Sequence, residues 1–164
     1  MQKEGVSLRD IQPGDLDWLV RRHRVLYAAS DGFDETFGDL VEQILQDFLA
    51  VRDPSHDRAW IAEADGQRLG SIFCVRTETP GIAQLRLLFL EPEARGLGLG
   101  QRLLGECIEF ARQSGNHTLR LWTHDTHRGA IRLYERYGFK MMTAEPVHHF
   151  GQKREQQHWE LALT

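Results

Sequence analysis

The feature that most constrains this chain is a glycine-rich turn set between an apolar run and an amphipathic stretch. Leu87-Leu88-Phe89-Leu90 is unbroken in its apolarity, Arg95-Gly96-Leu97-Gly98-Leu99-Gly100 follows, and Leu103, Leu104, Cys107, Ile108 and Ala111 then recur at helical spacing. A continuous apolar run predicts a central strand covered on both faces. Glycines let backbone N–H groups converge on one point without obstruction by a Cβ. The start of a helix adds unpaired N–H donors and the positive end of its dipole. Strand, glycine turn and helix together predict a site for phosphate or pyrophosphate, to which Arg95 and Arg102 add charge. A P-loop would require a Lys after its last glycine, and none is present. A dinucleotide fingerprint would require glycine where Gln101 stands, and it belongs in the first strand–helix–strand unit. A tight turn with no ligand is the remaining reading of the same residues.

The rest of the chain supplies the frame. Val6–Ile11 alternates as a strand, and Pro13-Gly14-Asp15 breaks it and opens a helix carrying Leu16, Leu19, Val20 and His23. Gly32 and Gly38 are expected to bracket a loop. Phe37, Leu40, Val41, Ile44, Leu45, Phe48 and Leu49 then form a second helical stripe, ended by Asp53-Pro54-Ser55. Strands are predicted at Ala59–Ala62 and Leu69–Val75 around the Asp65-Gly66 turn, and at Ile82–Leu90 after Pro80-Gly81. After the glycine turn and its helix, Thr118–Trp122 reads as a strand. Ala130, Leu133, Tyr134 and Tyr137 share a helical face closed by Gly138. Phe139–Met142 and Glu155–Leu163 read as the last two strands. This order predicts an α/β fold with a mixed, largely antiparallel central sheet and helices on both faces. At 164 residues, with no repeat or linker, one domain over 1–164 is expected.

Composition removes several classes. The net charge is −4, and the segment from Asp31 to Asp47 holds Asp31, Asp34, Glu35, Asp39, Glu42 and Asp47 with no Lys or Arg. A nucleic-acid stripe would be the reverse, so no nucleic-acid partner is expected. The acidic segment is either a solvated helix face or a rim that attracts a cation. No apolar run reaches the length of a membrane span, and Met1-Gln2-Lys3-Glu4 resembles no secretory leader, so a cytoplasmic protein without a membrane partner is expected. Cys74 and Cys107 lie in apolar runs and read as buried thiols, not as nucleophiles. His124, His127, His148 and His149 lack the spacing of a zinc site, so no metal is expected. By periodicity alone Tyr134 is a core aromatic.

Two motifs at this separation resemble those of the GNAT superfamily of acetyl-CoA-dependent N-acetyltransferases. Arg95–Gly100 resembles the family's Gln/Arg-x-x-Gly-x-Gly/Ala loop, and Ala130 to Phe139 resembles its Ala-x-x-x-Tyr-x-x-x-Gly-Phe motif. More narrowly, Leu85–Leu90 and the tail from Phe150-Gly151 to His158-Trp159-Glu160-Leu161 resemble the acetyltransferase domain fused to MarR-type regulators. No helix-turn-helix precedes it in this sequence, so DNA binding is not expected.

The resemblance implies acetyl-CoA as co-substrate, with its pyrophosphate held by Arg95, Gly96, Leu97, Gly98, Leu99, Gly100 and Gln101. It implies that the pantetheine arm runs along Leu88, Phe89 and Leu90, on a strand opened by a bulge, and near Ala130. It makes Tyr134 the general acid toward the departing thiolate. His127 stands where the family often has an Asn that contacts the pantetheine. Gln84-Leu85-Arg86 lacks the glutamate base some members carry on this strand, and Glu35 is nominated in its place. Arg86 is read as one half of a surface or core-edge ion pair, or as facing a substrate carboxylate. The implied activity is direct acetyl transfer to a primary amine of a small molecule or peptide, by a monomer or homodimer. A non-catalytic acyl-CoA sensor is the alternative, and transfer of a different acyl group is a third possibility.

Overall fold

Alternation along the strands sorts the apolar residues onto two faces of one sheet. The structure, a computed structural model, describes residues 5–164. The start Met1–Glu4, read above as carrying no leader, lies outside them. In chain order the elements are β1 (Ser7–Asp10), α1 (Leu16–Asp31), α2 (Glu35–Val51), β2 (Arg58–Ala64), β3 (Gln67–Arg76), β4 (Ile82–Leu90), α3 (Leu99–Gln113), β5 (Thr118–His124), α4 (Arg128–Arg136), β6 (Lys140–His149) and β7 (Gln152–Ala162). The strands form one seven-stranded sheet in the order β1-β2-β3-β4-β5-β7-β6. Every neighbouring pair is antiparallel except β4 with β5. The expected fold class is the one observed.

Each sheet face carries its own core. Trp60, Ala62, Ala83, Leu85, Leu119 and Leu121 pack with Leu103, Leu104 and Cys107 of α3 and Tyr134 of α4. Ala59, Ile61, Phe73 and Phe89 turn the other way, onto Trp18 and Leu19 of α1 and Val41, Leu45 and Phe48 of α2. Period two along the strands, met by a stripe of period 3.6 on each helix, requires this division. Buried ion pairs fix the entry to α1. Asp15 is 1% exposed and accepts from Arg9 at 2.8 Å and Arg68 at 2.8 Å. Burial alone would raise its carboxyl, but these partners hold it near 2. Arg22 of α1 grips the buried Glu91 at 2.7–3.1 Å and ties that helix to the end of β4.

Three sequence expectations change. Gly38 lies inside α2, where the Arg24 guanidinium occupies the space a side chain would take. The helix starts earlier because Asp34 caps it, accepting from the Thr36 amide at 3.0 Å. Glu35 is therefore the first residue of a helix and not a loop residue. The final hairpin is also longer than expected. β6 runs to His149 and β7 starts at Gln152, closed by Phe150-Gly151 with both residues at positive φ. The polar edge strand β6, largely exposed on both faces, has no apolar alternation to mark its length. The thiols of Cys74 and Cys107 are buried as expected, and they meet in the core.

The third change concerns the apolar run. Leu87, Leu88 and Leu90 are half-buried, and of the run only Phe89 is fully buried. Ser71 pairs with Phe89 and Phe73 with Arg86, so β4 carries one residue more than β3 across this stretch. Leu87 takes up the extra residue at φ 50°, and its carbonyl accepts from the buried Ser71 hydroxyl at 2.8 Å. This is the β-bulge that the resemblance implied. Past it β4 bows toward β3 at Gly70, where an added Cβ would lie 2.5 Å from the Phe89 carbonyl oxygen and 2.8 Å from Leu90 Cδ2. The backbone oxygen cannot move aside. Gly70→Ala is expected to lower folding stability by about 1–3 kcal/mol, read as a reduced urea midpoint at unchanged m-value.

Candidate active site

β4 and β5 pair only from Ile82–Gln84 to Thr118–Arg120 and then diverge. The gap is a cleft of about 1100 Å³ walled by the end of β4, the start of α4, the end of β5, and residues of α1 and α2. The glycine turn lies at one end of it. Gly96 and Gly98 hold φ of 81° and 75°, a conformation that L side chains rarely adopt. Arg95 donates its amide to the Pro92 carbonyl, and the next amide with a backbone acceptor is that of Arg102, to Gly98. Among the described residues the six amides from Gly96 to Gln101 make no such bond. A row of free donors opening a fifteen-residue helix is a fit for pyrophosphate oxygens. Gly100 leaves only 3.3 Å between a would-be Cβ and Leu133 Cδ2, so the loop lies close against α4. The Tyr137 hydroxyl, donating to the Gln101 carbonyl at 3.0 Å, ties α4 to the start of α3.

The opposite wall carries titratable groups. Asp31, the last residue of α1, is 5% exposed, and its Oδ2 lies 2.9 Å from His127 Nε2. His127 Nδ1 lies 3.2 Å from the hydroxyl of Thr123. A carboxylate facing Nε2 places a proton there, and leaves Nδ1 as the nitrogen that can accept from Thr123. Burial works to raise the Asp31 carboxyl, but hydrogen bonds led by that from His127, with the charge of Arg154, outweigh it and the net shift is downward. Tyr134 is buried, its ring 5.5 Å from that of Phe139. Burial first, and then the neighbouring Tyr27, push its phenol far above the ordinary range, so it keeps its proton. Its hydroxyl makes no hydrogen bond to the described residues. Tyr27, also lining the cleft, is pushed up to about 12, chiefly by burial.

An aromatic cluster closes the cleft beside Asp31. The ring of Phe37 lies 4.9 Å from that of Tyr27, 5.2 Å from Phe33 and 5.0 Å from Phe150. His124 Nε2 meets His149 Nδ1 at 3.1 Å along its edge.

Of the residues singled out from sequence, Leu88, Phe89, Leu90, Arg95, Gly96 and Gly100 line the cleft, as do His127, Ala130 and Tyr134. Leu97, Gly98, Leu99 and Gln101 do not line it, and the Leu99 side chain is in the core. Glu35 is exposed at the start of α2, outside the cleft walls. The acidic segment is mostly a solvated helix face, with Gln43 donating to Asp47 and Gln46 to Glu42. Asp31 is its one carboxylate in the cleft. Sequence reasoning missed Asp31, Thr123 and Tyr27 as cleft-lining residues. Asp31 and His127 stand 96 positions apart, and no local pattern joins them.

A family model described as the Acetyltransferase (GNAT) family matches residues 19–139. The chain belongs to that family. A Schizosaccharomyces pombe relative named as an uncharacterized N-acetyltransferase is 32% identical over 91% of this chain and 90% of its own. A Methanocaldococcus jannaschii protein of the same description is 26% identical over 82% of this chain, which spans 60% of that relative's length. A mycothiol acetyltransferase of Streptomyces avermitilis is 30% identical over 83% of this chain and 43% of its own. Among solved structures, a Salmonella typhimurium protein described as an acetyltransferase with its cofactor acetyl-CoA shares the fold at TM-score 0.77, 21% identity, 98% of this chain and 95% of its own. A Vibrio cholerae spermidine N-acetyltransferase in complex with CoA and spermine shares it at 0.74, 17% identity, 98% and 96%. The acyltransferase class expected from the sequence is thus met at the level of the GNAT family.

The histidines of this GNAT cleft make its stability depend on pH. Burial, opposed by the Leu19 carbonyl, brings His23 from 6.5 to about 4. Burial, then the charges of His127 and His149, bring His124 to about 4 as well. Between those values the unfolded chain binds protons that the folded chain refuses, so stability is intact above about pH 6.5 and falls as pH drops toward 4. The thermal midpoint is expected to fall from pH 7 to 4.5. His23→Leu is expected to flatten that slope by up to about 1.4 kcal/mol per pH unit, measured by calorimetry across the range.

Proposed function

We propose that the chain moves an acetyl group from acetyl-CoA to a primary amine of a small molecule or peptide, by direct transfer within the one cleft. The observation that carries this is a row of free amides at residues 96–101, reaching the cavity at Gly96 and Gly100, that shares it with a protonated phenol and an acid–imidazole pair. The amides of Gly96 to Gln101, with Arg95, would hold the pyrophosphate, and the bulged stretch Leu88, Phe89 and Leu90 would pair with the pantetheine arm beside Ala130. Bound acetyl-CoA supplies an activated acyl group on a good leaving thiolate. A backbone amide freed by the bulge would polarise the carbonyl. Tyr134 would then deliver its proton to the departing sulfur.

The attacking amine must first lose a proton. We assign that proton to the Asp31–His127 pair. Thr123 passes its hydroxyl proton to His127 Nδ1 as it takes one from the amine, and Asp31 steadies the resulting imidazolium. Both ring nitrogens of His127 already have protein partners, which favours this role over the pantetheine contact. Glu35 is not carried forward as the base.

We infer a single domain over 1–164, a cytoplasmic monomer or homodimer, and no nucleic-acid or membrane partner. The net charge of −4 argues against a nucleic-acid stripe, and among the described residues no helix is long and apolar enough to cross a membrane. The narrower resemblance to the MarR-fused domain rests only on Leu85–Leu90 and the tail from Phe150-Gly151 to His158-Trp159-Glu160-Leu161.

Thiol release from acetyl-CoA against an amine panel tests the function. Tyr134→Phe is expected to lower kcat by about 10²–10³-fold at unchanged CoA affinity. His127→Ala and Asp31→Asn are each expected to lower kcat/KM by about 10²-fold or more at neutral pH. Raising the pH, which deprotonates the amine in solution, should recover part of the loss. Tight CoA binding with no turnover of any amine would instead favour the sensor.

A further inference from the structure

On β4 the stretch Gln84-Leu85-Arg86 holds an arginine and no glutamate. Arg86 stands on β4 immediately before the bulge, half-buried, and lines the cleft. Among the described residues it makes no hydrogen bond and no ion pair, so the core-edge pair weighed from sequence does not form. Its neighbours show how unusual this is. Arg120, next to it on β5, is held by Glu78 at 3.1 Å and by the Gln84 side chain at 3.2 Å. Arg22, Arg52 and Arg68 each close on a carboxylate at 2.8 Å or less. Asp47 attracts Arg86 but lies beyond pairing distance and is engaged by Gln43 at 2.8 Å.

A guanidinium that is half out of water is favourable only with a hydrogen-bonded counter-charge. Burial, and then the like charge of Arg120, lower its pKa, the direction a bound anion would reverse. Its planar fork matches a carboxylate bidentately. Apolar surface flanks the same cleft, since Trp122 is 43% and Leu40 45% exposed. Two large apolar side chains left open in one cleft mark the place of an apolar group.

We propose that Arg86 is the acceptor's carboxylate site, so that the amine acetylated is amino-acid-like: a primary amine, a carboxylate on Arg86, and an apolar side chain over Trp122 and Leu40. This rests on the acetyltransferase reading above and names its substrate class.

The test uses products, which bind without turnover. CoA-saturated protein is titrated calorimetrically with N-acetyl-L-phenylalanine and N-acetyl-L-leucine, and with their decarboxylated counterparts N-acetylphenethylamine and N-isoamylacetamide. The carboxylates are expected to bind more tightly. Arg86→Met should weaken them by about ten- to a hundredfold and leave the neutral pair unchanged, and Arg86→Lys should fall between. Removing an unpaired half-buried charge is not expected to lower the melting temperature of Arg86→Met. Equal or tighter binding of the neutral compounds, equal weakening of both sets by Arg86→Met, or no binding of either carboxylate overturns the proposal. N-acetyl-O-phosphoethanolamine bound in their place overturns the carboxylate assignment in favour of phosphate. CoA binding and phenethylamine turnover are read on the same samples. If both succeed while the carboxylate arm fails, only this inference falls. If CoA does not bind, the acetyltransferase reading falls with it.

Discussion

The divergence of β4 from β5 is the constraint on which the rest of this structure depends. Two parallel strands that stayed paired would fill the cleft with their own ladder and leave no free backbone for a ligand. Here three residue pairs hold them together, and the extra residue at Leu87 then turns β4 away. The bulge is held from the β3 side by the Ser71 hydroxyl and accommodated by the missing side chain of Gly70. The Arg22–Glu91 pair fixes where the diverging strand ends, and so where the glycine turn and α3 begin. A defect in one ladder thereby positions a row of free amides some residues later.

The chemistry of the cleft follows from graded burial. Tyr134 is dry enough that its phenol stays protonated. Asp31 is nearly as buried, yet it stays ionised because His127 lies within 2.9 Å. One carboxylate and one phenol, both out of water, are thus held in opposite protonation states by whether a hydrogen-bond donor is in reach. The core thiols show the converse. Cys74 and Cys107 are buried with no cation beside them, and burial pushes the Cys107 thiol up, away from nucleophilic reactivity.

What was legible in the sequence was what local periodicity and turn chemistry encode. The glycine turn, the stripe of α3, the Asp65-Gly66 hairpin and the helical face ending at Gly138 all followed from residues within a few positions of one another. The two motifs also sufficed for the family. The misreadings have physical causes. Gly38 reads as a loop boundary because glycine breaks helices, and the local pattern does not show the Arg24 side chain that packs over it. The run Leu87–Leu90 looked doubly covered because apolarity reports that water is avoided, not what covers the strand. Here the open faces of these residues border a cleft. β6 was cut short because an edge strand exposed on both faces has no alternation.

The sequence by itself determined the α/β architecture, the family, and the glycine turn with its free amides, because each is written in contiguous residues whose backbone preferences act locally. Only the tertiary structure decided which acid enters the site. Six acidic residues between positions 31 and 47 are alike as text, yet one of them, Asp31, meets the imidazole of His127 at the start of α4. Likewise nothing in Gln84-Leu85-Arg86 tells whether that arginine finds a partner. Pairing between groups distant in the chain is set by how strands diverge and helices end, and a one-dimensional pattern carries no distance.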